Sequence, residues 1–277
     1  MEKKIQYKII FSDLDQTLLV KNHIPHFNLD AINKAKEKGV KFVICTGRNY
    51  DYMIHLLKEL NTYNLENEYT ICCSGSTIYE NKNHKLIQFK GIEKDTLKLI
   101  FEYGKNIKDI FIIFDTLDGS YVYNEEMIEK EDFKHFKYTP IKSLDEINSK
   151  IIRLIFSKKD FNYLLKIQDE IKNNKIFEGK VSFFISSNRF LEFTTYGVNK
   201  GEALKWLSNY LNIDVSETIA IGDNYNDESM IKDAGLGCCV KSAHDDIKKI
   251  SKYICEKDYF EGSVKEVIDK FILNKMI

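Results

Sequence analysis

The stretch Ile9-Ile10-Phe11-Ser12-Asp13-Leu14-Asp15-Gln16-Thr17-Leu18-Leu19 restricts the fold more than any other part of the chain. An apolar run ends in two carboxylates one residue apart. The run from Lys8 to Phe11 reads as a buried strand of a parallel sheet. Strand periodicity points Asp13 and Asp15 to the same side. In an open α/β sheet, ligands bind beyond the carboxyl ends of the strands. Two like charges so close are costly unless a cation or a proton lies between them. A hard divalent ion with oxygen ligands meets that need. The plainer reading is a strand end with two solvated acids.

The 277 residues suffice for one large domain or two ordinary ones. At 43% hydrophobic and 30% charged residues, the chain can build real cores under a solvated surface. Its net charge of −1 gives no electrostatic case for nucleic acid or an anionic membrane. No apolar run approaches the roughly 18 residues that a membrane span needs. No apolar leader follows Met1-Glu2-Lys3-Lys4-Ile5, so no signal peptide is expected. The cysteines at 45, 72, 73, 238, 239 and 255 form no C-x-x-C and lie mostly in apolar runs. They read as reduced, buried thiols rather than disulfides or metal ligands, and the expected compartment is the cytoplasm.

Strands are expected at 8–11, 40–45 and 69–73, with helices at 29–38 and 50–60 between them; Asn28 is read as the first helix's N-cap. That alternation implies parallel strands joined by right-handed crossovers. From about His84 the pattern changes to hairpins, around Asp118-Gly119 and Ser187-Asn188, with interspersed helices. The α/β pattern resumes near Lys200, with strands at 218–221, 236–240 and 253–255. The division expected is therefore a core of residues 1–83 and 195–277, interrupted by an inserted α+β domain of residues 84–194. Four strand ends then carry polar groups: Asp13 and Asp15, Thr46, Ser74-Gly75-Ser76, and Asp223 with Asp227. Lys200 opens a helix after the insertion. On parallel strands all of these share one edge, where they suit a metal ion plus a tetrahedral anion.

Asp13-Leu14-Asp15-Gln16-Thr17 resembles the D-x-D-G-T motif of the haloacid dehalogenase superfamily. Ile44-Cys45-Thr46-Gly47-Arg48 resembles its second motif, Lys200 its third, and Gly222-Asp223-x-x-Asn226-Asp227 its fourth. Motif order and spacing match over essentially the whole chain. The insertion between motifs two and three resembles the Cof-type branch (subfamily IIB), whose N-G-A turn Ser74-Gly75-Ser76 resembles. The resemblance implies a Rossmann-like, doubly wound core with an α/β cap, and a Mg²⁺-dependent phosphatase.

The resemblance also implies roles. Asp13 would be the nucleophile that forms an aspartyl-phosphate. Asp15 would protonate the leaving oxygen and then take a proton from water. Asp13, Asp223 and the backbone carbonyl of Asp15 would hold Mg²⁺. Thr46, with the amides of Leu14 and Gly47, would bind phosphate oxygens, as would Asn226. Lys200 would counter the charge on Asp13 and on the phosphoryl group. Asp227 would orient Lys200 or a metal-bound water. Each has an ordinary reading alone: Thr46 as an N-cap, Lys200 as a surface lysine, Asp227 as an acid favoured at a helix N-terminus.

The sequence departs from the family pattern in three places. Gln16 stands where Gly is usual, Val240-Lys241-Ser242-Ala243 where M-G-N-A is common, and Ser74 and Ser76 where Asn and Ala are. In the cap, Arg153 and Arg189 could contact an anionic substrate, or each reads as an exposed strand-end residue; Tyr121 and Tyr123 could stack on a ring, or simply fill a sheet face. The expected partner is a small phosphorylated metabolite, a sugar phosphate or phosphorylated cofactor, acted on by a monomer or homodimer. A phosphohexomutase is one rival, which would need cap cations for a second phosphate. A weakly active, regulatory phospholigand-binding protein is another, suggested by Gln16 and Lys241 and opposed by the intact Asp13, Asp15, Lys200 and Asp223.

Overall fold

The computed structural model describes residues 6–128 and 136–274. In chain order the elements begin with β1 (Ile9–Ser12), α1 (His26–Glu37), β2 (Lys41–Cys45), α2 (Ile54–Glu59), β3 (Tyr69–Cys72), β4 (Thr77–Glu80) and β5 (Lys85–Phe89). There follow α3 (Lys94–Lys105), β6 (Phe111–Thr116), β7 (Gly119–Tyr123), β8 (Thr139–Ile141), β9 (Ile151–Ser157), α4 (Phe161–Asn173), β10 (Val181–Ser186) and β11 (Phe190–Thr195). The chain closes with α5 (Lys200–Tyr210), β12 (Thr218–Gly222), α6 (Glu228–Asp233), β13 (Leu236–Cys239), α7 (Asp245–Ile250), β14 (Tyr253–Ile254) and α8 (Ser263–Phe271).

These elements form two compact units, residues 1–88 with 199–277, and residues 89–198. The first holds an eight-stranded sheet in the order β14-β13-β12-β1-β2-β3-β4-β5. β1 is central and parallel to both β2 and β12, so the chain leaves it in both directions. Its residues Ile9, Ile10 and Phe11 are wholly buried, as a strand covered on both faces must be. β13 and β14 continue the parallel run, while β4 turns back antiparallel to β3. β5 belongs to this sheet, not to the insertion as the sequence division had it.

α1 starts three residues before its expected first residue, because Pro25 pre-sets the backbone ahead of His26. Asn28 is therefore inside the helix instead of capping it. It is buried there, with its side chain donating to the Leu18 carbonyl and accepting from the Lys265 N–H. All six cysteines are free and buried. No helix among the described residues is long and apolar enough to cross a membrane.

The second unit carries a six-stranded sheet, β10-β11-β9-β6-β7-β8, antiparallel except where β8 runs parallel to β7. Strand alternation sends Ile112 and Phe114 of β6, Leu154 and Phe156 of β9, and Leu191 and Phe193 of β11 into the core built with α3 and α4. The alternate residues Phe111, Ile113 and Ile155 form a second cluster with Val122 and Ile128. By the same alternation Asp115, Arg153 and Glu192 lie on that second face.

All three are buried, and Arg153 bridges the two acids: its Nε donates to Asp115 at 2.7 Å and its Nη1 to Glu192. Ser120 and Ser186 donate to the remaining oxygens of Asp115 and Glu192. A buried pair is weak evidence of net stabilisation, but removing one partner strands the other's charge. Arg153→Met is thus expected to destabilise the protein by about 3–5 kcal/mol in urea unfolding, and a loss under ~1 kcal/mol would contradict this reading.

Candidate functional site

The site grows from the register of β1 and β12. Ser12 pairs with Ile221, and the Asp13 N–H donates to the Ile221 carbonyl at 3.0 Å. Asp13 and Asp223 therefore emerge side by side at the carboxyl ends of adjacent parallel strands. Gly222 ends β12 immediately before Asp223, and a Cβ there would stand 2.5 Å from the Asp227 carboxylate. Its absence lets Asp227 fold back under the strand end. Asp227 Oδ2 accepts the N–H groups of Asp223 and Asn224 at 3.0 and 3.1 Å.

Lys200 enters from α5, whose first turn is capped by Asn199 through the Glu202 N–H at 2.9 Å. The ammonium is fully buried and sits 2.5 Å from Asp13 Oδ1 and 2.6 Å from Asp227 Oδ1. The turn after β3 sets the position of this helix end. Gly75 there has φ +101°, and a Cβ would lie 2.4 Å from the Asn199 carbonyl oxygen. Only glycine accommodates both that backbone conformation and that approach. The neighbouring Ser74 and Ser76 are buried, and their hydroxyls have no hydrogen-bond partner among the described residues.

Oxygens of Asp13, Asp223 and Asp227 all lie within 4.8 Å of one another. Three buried carboxylates face one ammonium, so the cluster carries surplus negative charge. Burial first, then the Asp227 charge, pushes Asp13 up to about 7, with Lys200 acting in the opposite sense. Burial and the charges of Asp13 and Asp227 push Asp223 up to about 9, against the Thr17 hydrogen bond. For Lys200, burial alone would favour the neutral amine; Asp13 and Asp227 outweigh it and raise the pKa. Both Asp227 oxygens are occupied by the contacts above. Lys200 takes one oxygen of Asp13, and the Thr17 hydroxyl takes one of Asp223 at 2.8 Å. The second oxygen of each has no partner among the described residues. Two hard oxygen donors beside a charge surplus fit a divalent cation of the Mg²⁺ or Ca²⁺ type.

Thr46 follows β2 and is buried; its hydroxyl accepts the Arg48 N–H at 3.1 Å, and its carbonyl accepts the Ser74 N–H at 2.9 Å. Leu14 is fully buried, and Gly47 and Asn226 are partly so, in the loops after β1, β2 and β12. Asp15 is not part of the buried cluster. Its side chain is 55% exposed and lies in a two-pronged ion pair with Arg48. The Lys241 side chain is exposed. Gln16 has φ 62°, the left-handed region that favours glycine, which gives a backbone reason for the glycine usual at this position. Thr17 and Arg48 lie inside the first and second motifs, and the contacts that bring them to the site, to Asp223 and Asp15, are visible only in the fold.

A sequence profile of the haloacid dehalogenase-like hydrolases matches residues 10–268. The chain belongs to that family. This hydrolase is 28% identical over 264 residues to a phosphoglycolate phosphatase of Methanobrevibacter smithii, covering 94% of this chain and 97% of that one. It is 27% identical over 265 residues to a 5-amino-6-(5-phospho-D-ribitylamino)uracil phosphatase of Bacillus subtilis, covering 95% of each. Its fold matches the crystal structure of a haloacid dehalogenase-like hydrolase from Bacteroides thetaiotaomicron with a TM-score of 0.81 at 24% identity, covering 96% of this chain and all of that one.

The raised carboxyl pKa values give the metal-free hydrolase a definite pH response. From the ordinary carboxylate range up to about 7 for Asp13 and about 9 for Asp223, each folded carboxyl holds a proton that the unfolded chain has released. Their contribution to stability therefore falls as pH rises across that window. In chelator, the thermal midpoint is expected to decline from pH 5 to pH 9 more steeply for the native protein than for Asp223→Asn. Equal slopes would contradict the burial of a protonated pair.

Proposed function

We propose that this hydrolase is a Mg²⁺-dependent phosphatase that acts on small phosphomonoesters through an aspartyl-phosphate on Asp13. The observation that carries the reading is the buried Asp13–Lys200–Asp227 bridge beside Asp223. It fixes one carboxylate with an oxygen to spare at a strand end, where a ligand can reach it.

Asp13 Oδ attacks phosphorus and the bond to the leaving oxygen breaks, leaving the phosphoryl group on Asp13. Asp15 supplies the proton that the leaving oxygen takes. In the second half, water attacks phosphorus, its proton passes to Asp15, and the Asp13 carboxylate is released. Lys200 holds Asp13 in place and offsets charge that builds on the phosphoryl oxygens. The Thr46 hydroxyl accepts from Arg48, so its own proton is left to donate to a phosphate oxygen. The amides of Leu14 and Gly47 and the side chain of Asn226 complete that cradle. Asp13, Asp223 and the Asp15 carbonyl would hold Mg²⁺, which neutralises phosphate charge when bound. Asp227 acts through Lys200.

The substrate class proposed is small phosphorylated metabolites, sugar phosphates or phosphorylated cofactors. The names of the two phosphatase relatives support this, since each denotes a small phosphomonoester. Against a mutase, Arg153 is already committed to two carboxylates and Arg189 stacks over Phe190 at 5.3 Å. Free cysteines support a cytoplasmic setting.

Purified protein is expected to hydrolyse 4-nitrophenyl phosphate with Mg²⁺ and to lose that activity in chelator. Asp13→Asn should lower it by roughly 10³-fold or more, the scale of losing a covalent nucleophile. Turnover that survives the substitution would contradict the covalent mechanism.

A further inference from the structure

The geometry points to Arg48 as the positioning residue for Asp15, a proposal that rests on the phosphatase reading above. Among the described residues only Arg48 hydrogen-bonds the Asp15 side chain, and more than half of that side chain meets solvent. A group that must meet the leaving oxygen and then a water in one place needs an external support. Arg48 supplies it. Its Nε donates to Asp15 Oδ2 at 3.0 Å and its Nη2 to Oδ1 at 2.6 Å. This planar fork sets both the direction and the plane of the carboxylate. It uses one lone pair on each oxygen and leaves the other free to receive or release a proton.

Arg48 is itself held from three sides. Its N–H donates to the Thr46 hydroxyl, and its carbonyl accepts the Cys73 N–H at 3.0 Å. Its Nη1 donates to Asn22 Oδ1 at 2.7 Å. Asn22 lies at the tip of a two-residue hairpin in which Val20 and His23 exchange both backbone hydrogen bonds. Lys21 and Asn22 both take positive φ, as such a tight turn requires. α2 pins the hairpin in turn: Glu59 accepts the Ile24 N–H at 2.9 Å, and His55 Nε2 lies 3.2 Å from the Asn22 side chain. The guanidinium thus joins the loop after β1, this hairpin and the loop after β2. A quarter-exposed cation on a half-exposed acid contributes little to stability. The arrangement is better explained by the orientation it imposes on Asp15.

The test uses two substrates of nearly equal shape, phenyl phosphate and 4-nitrophenyl phosphate. The nitrophenolate departs without help from an acid, whereas the more basic phenolate needs it. Arg48→Gln is expected to lower kcat on phenyl phosphate at least ~10-fold more than on 4-nitrophenyl phosphate, part of the roughly 10²–10⁴-fold that a placed acid supplies. Asp15→Asn should show the same selectivity, and adding Arg48→Gln to it should change nothing further. Arg48→Lys should recover only part of the loss, because an ammonium cannot form the fork. If Arg48→Gln does not fold, Asn22→Ala loosens the guanidinium without removing its charge and carries the same comparison. Equal losses on both substrates, a further loss in the Asp15→Asn background, or no loss would overturn the proposal. A native protein that turns over neither substrate would overturn the phosphatase reading and this one with it.

Discussion

The site depends on one buried ammonium. Lys200 has no exposed surface, so its charge exists only because Asp13 and Asp227 face it across hydrogen-bonding distances. Removing any one member would leave a charge stranded in the interior, which is far more costly than the pair's net worth. Asp13 and Asp227 already outnumber that one cation, Asp223 adds a third carboxylate, and the surplus is the physical invitation to a second cation. Elements far apart in sequence converge on this point: the ends of β1 and β12, the first turn of α5, and the glycine turn that seats that helix. Gly75 and Gly222 matter because a methyl group at either would collide with the atoms that define it.

Much of this was legible in the sequence because buried parallel strands appear as uninterrupted apolar runs, and their carboxyl ends appear as the polar residues that follow. Asp13, Thr46 and Asp223 could be placed on one edge from that rule alone, and Lys200 was added as the first residue of the helix that follows the insertion. What escaped was set by tertiary pairing. Two short strands, Thr77–Glu80 and Thr139–Ile141, lacked a readable run, the second because it contains Pro140. β5 read as the start of the insertion, yet it hydrogen-bonds at the edge of the core sheet. Asn28 looked like a cap and is a buried tie between segments.

The arginines show the same limit from two sides. Arg153 looked available for an anionic substrate, but register sets it opposite Asp115, and the neighbouring strand brings Glu192 beside it. Residues nearly forty positions apart in sequence cannot be paired without knowing that register. Arg48, by contrast, stands inside the second motif, where the sequence alone shows no partner for it. Its partners Asp15 and Asn22 lie on loops whose proximity only the folded chain reveals. Gln16 is clearer: its left-handed backbone gives a physical reason for the glycine usual there, while its side chain is exposed.

In the mechanism proposed, phosphoryl transfer passes through Asp13. Acid quenching of the enzyme during turnover of 4-nitrophenyl phosphate with Mg²⁺, followed by peptide mass spectrometry, tests it most directly. A phosphoryl adduct is expected on the peptide carrying Asp13, absent in Asp13→Asn. An adduct on another residue, or sustained turnover with none, would contradict it.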